Sequence, residues 1–155
     1  MGVGWGATMT NHYCTRRLEF DAAHRVMKHE SKCRNLHGHR YRVEVTASAG
    51  LDDLGRVIDF GVIKSVFGGW LDQAWDHGAI LHADDTALIE LCKSSDWKVY
   101  TLDANPTSEV MARYLLGKAS EMLGPLGVTV THVRLYETPN CWADHYAPVK
   151  AGPHA

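Results

Sequence analysis

A chain of 155 residues with 45% hydrophobic and 22% charged residues is ordinary in composition and long enough for one domain with a real core. A net charge of −2 offers no basic surface for nucleic acid or an anionic membrane, and no apolar run approaches the roughly 18 residues of a membrane span. Four cysteines without disulfide-framework spacing and a start that lacks signal-peptide character lead us to expect a cytoplasmic protein with free thiols, and ten histidines raise the expectation of metal chemistry.

Residues 1–13 carry no pattern and are expected to form a flexible leader. A strand is predicted over 14–23, with Leu18, Phe20, Ala22 and His24 on one parity and Arg17, Glu19 and Asp21 on the other. His24 ends that apolar face, either as a hydrogen-bonded core residue or as a ligand. Residues 25–36 are polar and basic, long for a hairpin connection, and long loops in compact domains are often functional. A second strand follows over 38–49. His37 and His39 flank Gly38 and share one face of it. Their separation of about 6.6 Å along the strand lets two imidazoles lean onto one metal, with Zn–N near about 2.0 Å.

Residues 50–55 read as a turn, and 56–60 as a short strand or the lead into a helix. That helix runs from Asp59 to Trp75, with Val62, Ile63, Val66, Phe67, Trp70, Leu71 and Ala74 as an apolar core stripe. Gly68-Gly69 interrupts it and suggests close packing. Asp76-His77-Gly78 reads as a helix end opening into a loop that contains His82. A short helix is predicted over 86–93 and a strand over 97–103. Asn105-Pro106-Thr107-Ser108-Glu109 starts a long helix reaching Leu123, where Gly124-Pro125 stops it. A last strand covers 128–137, and its shift of apolar phase hints at a bulge. Residues 147–155 are expected to be a flexible tail. This order predicts an α+β fold, one antiparallel sheet with helices on one face, whose open edges need protection or partners.

His24, His37 and His39 together are the ligand set of an open catalytic zinc site, which keeps a position for water or substrate. Cys33 is either a base, its thiolate favoured by nearby positive charge, or a fourth ligand that closes the site. Asp76 is either a turn residue or the group that holds a His77 tautomer; sequence neighbours diverge in regular structure, and His77 reads equally as a partner of Cys33. Glu137 is either an exposed strand-end charge or a carboxylate that accepts two hydrogen bonds from a guanidine-like edge.

Phe20-Asp21-Ala22-Ala23-His24, Cys33 three residues before His37-Gly38-His39, Asp76-His77, Pro106-Thr107-Ser108-Glu109 and Glu137-Thr138 together resemble the 6-pyruvoyl-tetrahydropterin synthase family. The Cys33–His37 spacing is similar to its bacterial branch, the 6-carboxy-5,6,7,8-tetrahydropterin synthases of queuosine (7-deazaguanine) biosynthesis. The resemblance covers residues 14–146 as a single domain. It implies a tunnelling fold: a four-stranded antiparallel sheet with two main helices on one face, assembling into barrels and a homohexamer with sites between subunits.

It further implies a lyase that turns 7,8-dihydroneopterin triphosphate into 6-carboxytetrahydropterin, acetaldehyde and triphosphate. In that reading His24, His37 and His39 hold Zn2+. Cys33 and the Asp76-His77 pair move protons, Glu137 anchors the pterin, and Thr107 and Ser108 assist through backbone groups. Two departures stand out: the His-containing loop after Asp76-His77, and termini that match nothing in the family. The alternatives are a 6-pyruvoyl product, a zinc hydrolase with Cys33 a bystander, and a non-catalytic pterin or metal module with Cys33 bound to zinc.

Overall fold

Alternation of apolar and charged residues builds the sheet. The computed structural model describes residues 11–149. β1 (His12–His24) and β2 (His37–Ala49) pair antiparallel over their whole lengths, with Phe20 opposite Tyr41, Ala22 opposite His39 and His24 opposite His37. One face of this ladder is the core: Phe20, Tyr41, Val43, Val45 and Ala47 are all buried. The Phe20 and Tyr41 rings stack with centroids 5.2 Å apart. The other face carries crossed ion pairs, Arg17 with Glu44 and Arg40 and Arg42 with Glu19.

The expected four-stranded antiparallel sheet is a six-stranded mixed one, in the order β4-β3-β1-β2-β5-β6. β5 (Thr129–Thr138) and β6 (Cys141–Tyr146) extend the antiparallel part beyond β2. The register slip between Thr46 and Ala47 is the irregularity that the phase shift in β5 indicated. On the other side β3 (Gly78–His82) runs parallel to β1, and β4 (Val99–Leu102) runs parallel to β3.

Two expectations change here. Residues 78–82 form a strand and not a loop, because Ala79 and Leu81 are buried on one face and Ile80 on the other. A strand covered on both faces reads as a plain apolar run without alternation. The strand β6 went unpredicted because only Ala143 in it is buried. The first strand also begins at His12, inside the expected leader; the rest of both expected flexible ends, 1–10 and 150–155, lies outside the described residues.

The helix expected over 59–75 is α1 (Phe60–Ile63), a π-helical turn (Lys64–Gly68) and α2 (Gly69–Ala74) in continuous succession. Its buried residues Ile63, Phe67, Leu71 and Trp75 recur every four positions. On an α-helix that spacing drifts by about 40° per step, and a wider π turn takes up the drift. Residues 56–59 lead into this helix and form no strand; Asp59 caps it by accepting from Gly61 N–H at 2.6 Å. A β-carbon on Gly68 would stand in ordinary contact, 3.5 Å from Leu18, and one on Gly69 would meet nothing within 4 Å, so the close packing expected of this pair is not found.

α4 (Ser108–Leu123) packs its Met111, Leu115, Ala119 and Leu123 face on the same core. α3 (Thr86–Ser94) buries Ile89 and Cys92 against Ala79 and Leu81 in a separate cluster. It therefore lies across β3 on the face away from Ile80 and the main core, so the helices do not all share one face.

Candidate active site

The three histidines meet where β1 ends and β2 begins. His24 is 1% exposed, on the core-facing parity the alternation assigned it. Its ring lies with centroids 4.6 Å from His37 and 5.2 Å from His39, and those two are 4.9 Å apart. One nitrogen from each comes within 4.8 Å of the others. Tyr41, fully buried, supports the rings of both His24 and His39 edge-on.

Backbone carbonyls fix the tautomers. His24 Nδ1–H donates to Pro106 C=O at 2.8 Å, and His37 Nδ1–H donates to Asn35 C=O at 2.7 Å. Both Nε2 atoms are thereby left as bare lone pairs, and they face each other at 3.2 Å. Two ligands near 2.0–2.1 Å from a tetrahedral zinc stand about 3.3 Å apart, so this spacing is that of a shared cation. His39 Nε2 is buried without a hydrogen-bond partner. Burial pushes the His24 and His39 imidazoles below their usual pKa, against the raising pull of the Pro106 carbonyl on His24 and of Glu137 on both. Neutral imidazoles are the form a metal needs. The residues therefore fit a zinc ion.

Cys33 does not join the cluster of converging ligand atoms. It sits in the middle of a short 3-10 turn (Lys32–Arg34) and lines a cleft of about 250 Å3 together with His24, Thr107, Ser108, Glu137 and Cys141. Glu137, on β5, brings Oε1 to 3.7 Å from His39 Nε2 and accepts the Ser108 hydroxyl on Oε2 at 2.9 Å. Ser108 thus reaches Glu137 through its side chain, beside the backbone role expected of it. The Thr107 N–H donates to Asn105 C=O, its carbonyl accepts from Met111, and its hydroxyl caps Val110.

Asp76 and His77 do contact each other. His77 has a left-handed backbone, φ 56°, and this irregular turn lets neighbouring side chains converge. His77 Nδ1–H donates to Asp76 Oδ2 at 2.6 Å, and Asp76 Oδ1 accepts from Asp21 N–H at 2.8 Å. Burial raises the Asp76 pKa, but the Asp21 amide and the His77 ring outweigh it and hold the carboxyl below its usual value. His77 is largely exposed, with its side chain at 75%, and lines a second cleft with Gly38, Arg40, Leu88 and Trp97. Cys33 does not line that cleft and His77 does not line the first. Within one chain Cys33 and His77 therefore open onto different clefts. His82, at the end of β3, accepts from Asp84 N–H on its ring and stands outside both clefts.

Sequence reading missed the carbonyl partners of His24 and His37, because backbone groups leave no signature in residue type. It also took Asn105 only as part of a helix start, whereas its amide bonds to the Cys33 loop.

The model of the family described as 6-pyruvoyl tetrahydropterin synthase matches residues 13–148. The 6-carboxy-5,6,7,8-tetrahydropterin synthases of Rickettsia bellii and Rickettsia conorii are 44% and 45% identical, each match covering 84% of this chain and 97% of the relative. Among solved structures, the 6-pyruvoyl tetrahydropterin synthase of Caenorhabditis elegans superposes with a TM-score of 0.65 at 26% identity, over 90% of this chain and 98% of the other. An uncharacterized protein of Wolinella succinogenes superposes with a TM-score of 0.75 at 24% identity, over 90% and 99%, and so shares the fold. The chain belongs to the 6-pyruvoyl tetrahydropterin synthase family.

Proposed function

We propose that this chain is a zinc-dependent 6-carboxy-5,6,7,8-tetrahydropterin synthase. It converts 7,8-dihydroneopterin triphosphate and water into 6-carboxytetrahydropterin, acetaldehyde and triphosphate, a lyase step of 7-deazaguanine biosynthesis in the cytoplasm. The observation that carries this reading is the convergence of three imidazole nitrogens with Cys33 beside them but outside their cluster. The identity of 44–45% to two enzymes bearing that name supports it further.

His24, His37 and His39 hold the zinc. When bound, zinc supplies a Lewis acid that lowers the pKa of a substrate hydroxyl. Cys33 takes a proton from the side chain of the substrate. His77 relays one, and Asp76 holds its Nδ1 proton so that Nε2 faces the reaction. Glu137 accepts two hydrogen bonds from the guanidine-like edge of the pterin, with Ser108 fixing its rotamer. The opening of Cys33 and His77 onto different clefts of one chain supports a site shared between subunits, completed when the open edges at β4 and β6 join in a homohexamer.

Incubation with 7,8-dihydroneopterin triphosphate tests the assignment. Acetaldehyde together with a carboxypterin is the expected result. A pyruvoyl pterin reassigns the reaction within the family, and release of phosphate with no change at the pterin side chain indicates a zinc hydrolase.

A further inference from the structure

The segment 25–36 carries Cys33 with no regular structure beyond one 3-10 turn. A side chain on such a loop is held only as firmly as the loop's anchors. Val26 N–H donates to Cys33 C=O at 2.9 Å, closing the loop on itself. Arg25 grips the buried Asp85 through two bonds of 2.5 Å, tying the start of the loop to α3. The remaining anchor is Asn105, 78 residues away from Met27. Its Oδ1 accepts Met27 N–H at 2.9 Å and its Nδ2 donates to Met27 C=O at 3.0 Å.

One side-chain amide here takes the place of a neighbouring strand and satisfies both polar groups of a backbone residue. The residue that follows, Lys28, is left-handed with φ 63°. Such a conformation is strained in a non-glycine residue and persists only where its surroundings hold it. Directly after Asn105, the Pro106 carbonyl orients the His24 ring. A single dipeptide therefore fixes both the loop that carries Cys33 and a histidine of the trio.

We propose that Asn105 is a positioning residue: its amide clamp on Met27 sets where Cys33 stands relative to the three histidines. That this matters for turnover rests on the function proposed above.

The test compares the full-length, zinc-loaded protein with its Asn105→Ala variant. Iodoacetamide alkylation of Cys33 and of Cys92 is timed by peptide mass mapping, alongside zinc content, kcat and KM. Cys92 is buried at 3% exposure and reports general loosening. The expected result is a several-fold change in the Cys33 rate with the Cys92 rate and zinc content unchanged. Loss of a supporting contact of this kind costs roughly 10–100-fold, here in kcat, with KM held within a few-fold. An unchanged Cys33 rate, or Cys33 and Cys92 rising together, overturns the proposal. Should Asn105→Ala not fold, Asn105→Asp serves: it keeps the acceptor for Met27 N–H, loses the donor, and is expected to change Cys33 alone. If the wild-type protein does not turn over the pterin triphosphate, the proposed function falls while the alkylation rates still decide the role of Asn105.

Discussion

Ser108 donates its hydroxyl to Glu137 Oε2 at 2.9 Å on the wall of the first cleft, while the other carboxylate oxygen stands 3.7 Å from His39 Nε2. The first turn of α4 is thereby coupled to the end of β5 by two residues that lie 29 positions apart in the sequence. In the function proposed above, replacing the carboxylate in Glu137→Gln removes a charged acceptor for the pterin. A hydrogen bond to a charged group is worth about 1.5–3 kcal/mol, so pterin affinity falls about 10- to 150-fold. Ser108→Ala loses a single support and costs about 0.5–1.5 kcal/mol of the same affinity. Equilibrium titration with a non-reactive pterin measures both; equal affinity in Glu137→Gln and wild type would remove Glu137 from the pterin site.

Gly38 separates two of the histidines, and a β-carbon there would stand 3.1 Å from the Ala22 carbonyl on the paired strand. Gly38→Ala forces β1 and β2 apart where they carry His24, His37 and His39. Overpacking of this kind costs about 1–3 kcal/mol. The melting temperature of the variant and its zinc affinity are expected to fall together, as calorimetry and metal titration will read. An unchanged zinc affinity would show that the strand spacing is not what aligns the trio.

The elements that were legible are those with strict periodicity. Leu18, Phe20 and Ala22 alternate with Arg17, Glu19 and Asp21, His24 continues that parity, and the histidine pair follows the same rule, so the histidine trio emerged from spacing. The elements that were not legible lack that contrast. Ala79, Ile80 and Leu81 are covered on both faces by different helices, and β6 buries a single residue. The contact between Asp76 and His77 depends on a positive φ, which a histidine does not advertise. The carbonyls of Asn35 and Pro106 orient two ligands by backbone position, which residue type does not encode.

Burial holds the imidazoles of His24 and His39 below their usual pKa in the folded chain. Between those depressed values and about 6.5, the unfolded chain binds protons that the folded chain refuses. The metal-free protein therefore loses stability as pH falls below about 6.5, until pH passes below the depressed values. Its melting temperature is expected to be lower at pH about 5.5 than at about 7.5. Zinc raises the melting temperature at the higher pH and less at the lower, because protons compete for the same nitrogens. A metal-free protein that melts higher in acid would contradict this account of the trio.

Cys33 and His77 line different clefts of one chain, and this makes a complementation experiment decisive. Cys33→Ala and His77→Ala are each expected to be inactive. Co-refolded at equal amounts, they assort into shared sites of which up to roughly one quarter pair an intact Cys33 with an intact His77. Recovered turnover near that fraction is the expected outcome. A mixture as inactive as its components would place both groups in one subunit's site.

The zinc content of purified Cys33→Ala, measured beside its turnover, bears most directly on the arrangement of three imidazoles with a thiol outside them. The account predicts as much zinc as in the wild-type protein and turnover lost. Zinc lost along with activity would make the thiol a ligand in a closed site, and zinc and activity both retained would make it a bystander; either result contradicts the account.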